Sequence, residues 1–138
     1  MLRMPRNRVA ISLAGILLLA GAVWGHHSFA AEFDSNKPIS ITGVITKLDW
    51  VNPHAYVYLD AKDAKDASGA TVHWSFQTLP PSMMRVRGVP RDMFAVGQTV
   101  TISGFGAKDG TKSLGWIKKI QYADGRVLQM TAPEDESK

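Results

Sequence analysis

Between Ile39 and Trp50 the apolar positions change phase: Ile39 and Ile41 share one parity, Val44, Leu48 and Trp50 the other, with Gly43 between them. A first strand with a glycine bulge at Gly43, bending to serve two sheets, is predicted. The run breaks at Val51-Asn52-Pro53-His54. It resumes as Ala55, Val57 and Leu59 alternating with His54, Tyr56, Tyr58 and Asp60, a second strand with one core side and one half-wet side. Thr71 to Thr78 alternates again, with Val72, Trp74 and Phe76 on one side and Thr71, His73, Ser75 and Gln77 on the other. Pro80-Pro81 ends this third strand, and Ser82 followed by Met83, Met84 and Val86 predicts one short helix. Thr99 to Ser103 is a fourth strand, Gly104 to Gly115 a glycine-rich loop, and Trp116 to Tyr122 a fifth strand. Asp124-Gly125 is a tight turn before a short closing strand, Val127 to Met130.

This order predicts an all-β chain: a small five- to six-stranded OB-like Greek-key barrel with one short helix between strands 3 and 4. An open β-sandwich is the alternative. The barrel is expected over residues 39–130, preceded by an extended arm, 26–38, which Phe29 and Phe33 pin to it. The acidic tail, 131–138, is expected to be disordered.

Residues 1–25 read as a secretory signal: Arg3, Arg6 and Arg8, the apolar run Val9 to Ala22, then small residues before a cut. The run is shorter than the roughly 20 residues of a spanning helix, so an unanchored periplasmic or secreted protein is expected, with a retained anchor as the alternative. Cutting after Gly25 removes three of sixteen basic residues and none of twelve acids, so the formal charge falls from +4 to +1. That balance gives no electrostatic footprint for nucleic acid. The chain has no cysteine, so no disulfide framework supports it.

With cysteine absent, the soft-metal candidates are His26, His27, His54 and His73. If His26 is the first mature residue, its α-amine and imidazole form a chelating pair suited to Cu(II). His27 and His54 would complete the set, with Glu32 or Asp34 as substitutes. The plainer account is that the two N-terminal histidines are solvated and that His54 caps a bend. A second candidate is the half-wet side of strands 2 and 3, where Tyr56, Tyr58, His73 and Gln77 would bind a periplasmic partner protein or a small or oligomeric ligand without metal; ordinary packing competes with it. Asp60, Asp63 and Asp66 are spaced by three and lack the alternation of a calcium loop. Arg85, Arg87, Arg91, Lys118 and Lys119 read as scattered surface charge, and Met83-Met84 as core. There is no cysteine nucleophile, Gly-x-Ser-x-Gly elbow or His-Glu-x-x-His helix. A non-enzymatic protein binding copper or another transition metal through His26 and His27, helped by His54, is the leading expectation, the metal-free interaction module its rival and a copper enzyme the third reading.

The segments His26-His-Ser-Phe-Ala-Ala-Glu-Phe-Asp34, Lys37-Pro38, Trp50-Val-Asn-Pro-His54 and Ala107-Lys-Asp-Gly110, with Gly43, give the chain a family likeness. It resembles domain-of-unknown-function family 6152, small exported bacterial proteins, over nearly the whole segment after the signal. The resemblance implies His26 as the mature start, an architecture and a compartment, but no reaction. The chain departs from the family pattern at Gln77 and Val89 and in the stretch Leu114 to Lys119.

Overall fold

The structure, a computed structural model, describes residues 29–130. A helical turn, α1 (Phe29–Glu32), leads into β1 (Phe33–Asp49), so the described part of the segment 26–38 is one helical turn and the beginning of a 17-residue strand. Then follow β2 (Tyr56–Lys62), β3 (Thr71–Gln77), the helix α2 (Pro81–Val86), a 3-10 turn (Arg91–Phe94), β4 (Thr99–Ala107), β5 (Leu114–Tyr122) and β6 (Val127–Gln129). The six strands lie in the order β3-β2-β1-β4-β5-β6, antiparallel throughout, and a parallel pairing of β3 with β5 nearly closes five of them into a ring.

Alternation decides what faces the ring's interior. Ile45, Val57, Leu59, Phe76, Val100, Ile102, Ile117 and Ile120 are all at most 1 % exposed and form one cluster. Each such side chain contributes about 1.5–3 kcal/mol relative to staying in water. Met84 of α2 and Phe94 of the 3-10 turn join the cluster, and Phe94 lies 5.9 Å from Trp50, so these elements pack at the β1–β2 turn end. Met84 is core as expected, but Met83 is 43 % exposed.

Two local expectations need correction. The change of phase in β1 is at Thr46, the extra residue between Ile45 and Lys47 in the pairing with β2, so Ile45 continues the inward phase of Ile39 and Ile41 while Val44 is exposed. Gly43 meets a different need: a Cβ there would be 2.5 Å from the Asp60 carbonyl oxygen, so its lack of a side chain lets β2 approach. The glycines after Ser103 are largely strand, since β4 continues to Ala107 and β5 starts at Leu114. A Cβ on Gly104 would be 1.7 Å from the Trp116 carbonyl oxygen, and one on Gly115 2.6 Å from Ile39 Cδ1. These positions are glycine because chains pass close to each other, and only residues 108–113 form the connection.

Candidate functional site

The outer face of β2 carries Tyr56, Tyr58 and Asp60, set by register opposite Gln77, Ser75 and His73 of β3. On its other side β1 places Asp49 opposite Tyr56 and Lys47 opposite Tyr58. The polar groups of this face bond to one another. The Tyr58 hydroxyl donates to Asp49 Oδ2 at 2.9 Å, Lys47 Nζ donates to the same carboxylate at 2.9 Å, and the ammonium lies 4.8 Å from the Tyr58 ring centre. His73 Nδ1 is 2.6 Å from Asp60 Oδ1. The carboxylate accepts there, so the ring proton is on Nδ1 and Nε2 points away from the pair. Between them Lys47, Tyr58, Asp60, His73 and Ser75 border a shallow groove of about 380 Å³.

The hydrogen bond from Lys47, followed by that from Tyr58, holds the Asp49 carboxyl below its ordinary value, and the same bond raises Lys47. Burial, then the bond to Asp49, pushes the Tyr58 hydroxyl up. The result is a face of fixed charge with an aromatic plane in its middle.

At the end of β2 nearest the cis Asn52–Pro53 corner the surroundings are apolar. Gly115 faces the interior, against Ile39 and Phe76. Alternation therefore turns the next residue, Trp116, outward over the β3–β5 seam. Phe33, 2 % exposed, covers it with ring centres 5.8 Å apart, and His54 meets it edge-on at 6.1 Å. His54 Nδ1 is 3.2 Å from the Thr78 carbonyl oxygen, which can only accept, so this ring also carries a proton on Nδ1. Next to this cluster the Tyr56 hydroxyl donates to Gln77 Oε1 at 3.1 Å. Burial, then the nearby Glu32 charge, raises Tyr56.

Of the residues singled out in the sequence, Tyr56, Tyr58, His73 and Gln77 share one face, although Gln77 is only 6 % exposed and offers little surface. His54 is at the other end of β2 from the His73–Asp60 pair, about 20 Å away at the rise of a strand. His26 and His27 lie outside the described residues. Among the described residues no three His, Cys, Asp or Glu side chains converge on a common point. Lys47, Asp49 and Trp116 are not among the residues that the sequence singles out. The first two would follow from pairing β1 with β2 across the Asn-Pro corner, whereas Trp116 shows no local signal. No helix among the described residues is long and apolar enough to cross a membrane.

Residues 14–121 match the model of a family of unknown function, DUF6152, and the chain belongs to that family. No curated protein matches it.

Proposed function

We propose that this member of the family is an exported, non-enzymatic binding module of OB type that takes a hydroxyl-rich oligomeric ligand on the outer face of β2 and β3. The OB reading is supported by the ring order β1-β2-β3-β5-β4 and by a helix between β3 and β4. Barrels of that type bind oligomers on the face of strands 2 and 3. Export is supported by the signal-like segment 1–25. The observation that carries the ligand reading is the groove at Tyr58, an aromatic plane bracketed by Asp60, His73 and Ser75 as donors and acceptors. Such a ring packs on the C–H face of a sugar while the polar side chains meet its hydroxyls.

The test is binding to an oligosaccharide array followed by equilibrium titration of any hit. Tyr58→Ala is expected to weaken the hit roughly threefold to tenfold. No hit, or a hit indifferent to Tyr58 and His73, would overturn this reading, and capture of a protein through Tyr58 would assign the face to a partner.

A second reading, binding of Cu(II) or another transition metal, is favoured by His54. A ring whose Nδ1–H is held by a backbone carbonyl has its Nε2 lone pair oriented, as metal-bound histidines usually do. His26 and His27 are the further ligands that the sequence suggests. Titration of Cu(II) into the protein and its His54→Ala variant tests this, with at least about tenfold weaker binding expected for the variant; equal binding by both would remove His54 from any site.

A further inference from the structure

The ring is closed unevenly. At the β1–β2 turn end α2 and the 3-10 turn fill the interior, but at the other end β3 pairs with β5 only through Ser75, Phe76 and Gln77. β2 pairs with β1 only from Gly43 onward. The interior-facing side chains beyond those limits are half-exposed. Ile39, Ile41, Val72 and Trp74 border an open cleft of about 1380 Å³, which Leu114 also lines. Trp74, stacked on Phe76 with centres 5.4 Å apart, forms a flat wall.

This volume exceeds the roughly 300–1,000 Å³ of ordinary small-molecule sites, and its wall offers few polar atoms. The rim has a different character. Lys37, Lys62, Lys65 and Lys112 line it, against Asp60 and Asp63. Asp60 accepts from His73 and Asp63 Oδ1 from the Lys65 backbone N–H at 2.8 Å, while Lys37 Nζ donates to the Ala107 and Lys108 carbonyls and Lys62 Nζ to Thr71 Oγ1, so four ammonium groups outweigh two carboxylates. Ammonium groups around an apolar opening suit a molecule with an anionic head and a hydrocarbon tail, since the tail leaves water and the head stays near positive charge at the surface.

We infer that this cleft binds a free single-chain amphiphile with an anionic head, of the fatty-acid class. The tail lies along Trp74, Val72, Ile41 and Ile39, and the carboxylate stays at the lysine rim. The tail packs on inward-phase side chains of β3 and β1, whereas the outer groove is lined by the opposite phase of β2 and β3; Asp60 borders both. Failure of the cleft to bind would leave the reading of that outer face standing.

The test uses the protein as isolated from the cells that express it, titrated calorimetrically below micelle-forming concentrations with dodecanoate and with dodecyltrimethylammonium. Saturable binding of dodecanoate is expected, at least about tenfold tighter than that of the cation of equal chain length. Val72→Glu puts a carboxylate on the tail wall and is expected to weaken dodecanoate at least about tenfold. The exposed double variant Lys62→Glu/Lys112→Glu leaves the core untouched and is expected to weaken it roughly fivefold and to narrow the preference over the cation. Equal affinity for the two amphiphiles, or dodecanoate binding unchanged in the folded double variant, would overturn the inference. So would self-association of the protein that buries the cleft and excludes dodecanoate.

Discussion

His54 and His73 are both held through Nδ1, by partners of different kinds. His54 donates to a backbone carbonyl beside the buried Trp116, whereas His73 donates to an exposed carboxylate on a face where every neighbour is polar. A carbonyl of a packed strand end does not titrate, so the orientation of His54 is part of the fold. That of His73 rests on a hydrogen bond to an exposed carboxylate, and such surface contacts contribute little to stability. The seam around Trp116 is thus packed structure with His54 at its border, and the β2–β3 face is a polar surface whose groups bond to one another.

Truncation separates the two regions most sharply. Trp116→Ala removes the cover of the β3–β5 seam and should lower the unfolding free energy by about 3–5 kcal/mol in urea, as for other buried aromatic residues. Tyr58→Ala, on the half-exposed face, should cost about 1 kcal/mol. Equal losses would break the contrast.

A smaller difference is expected between the histidines themselves. His54→Ala should cost about 1–2 kcal/mol through the hydrogen bond to Thr78 and the edge contact with Trp116, while His73→Ala should stay within about 0.5 kcal/mol of the parent by the same urea measurement.

The smallest effect is a pH dependence. The Asp49 carboxyl is held below its ordinary value of 3.8, so its bonds to Lys47 and Tyr58 favour the folded state above that pH and lose their contribution as pH falls through the folded value. Asp49→Asn should therefore differ from the parent at neutral pH and converge with it under acid, read from thermal midpoints. A difference that grew on acidification would contradict the arrangement of that cluster.

Much of this was legible in the chain. The alternation of Tyr56, Tyr58 and Asp60 with Val57 and Leu59, and of His73, Ser75 and Gln77 with Trp74 and Phe76, placed the outer face correctly, since a period of two fixes both sides of a strand once one is apolar. The bend after Trp50 and the turn at Asp124-Gly125 were equally plain, because proline and glycine act locally. What escaped depends on distant chain. Gly104 and Gly115 resemble loop glycines until Trp116 and Ile39 are brought against them. Gln77 reads as a surface residue until its parallel partner strand covers it. The extra residue at Thr46 has no glycine to mark it, and only the register with β2 shows where the phase of β1 turns over.

The seam joining β3 to β5 is only three residue pairs long, and Trp116, Phe33 and His54 are bolted over it. Brief detachment of that seam should be the lowest-energy excursion of the ring, visible as early deuterium uptake by the Ser75 amide, which donates to the Ser113 carbonyl across it, and by the Gln77 amide on the same side of β3. Anything that grips His54 in the closed arrangement would slow that uptake, so the vigour of this single joint reports on occupancy at the corner even where the bound species is spectroscopically silent.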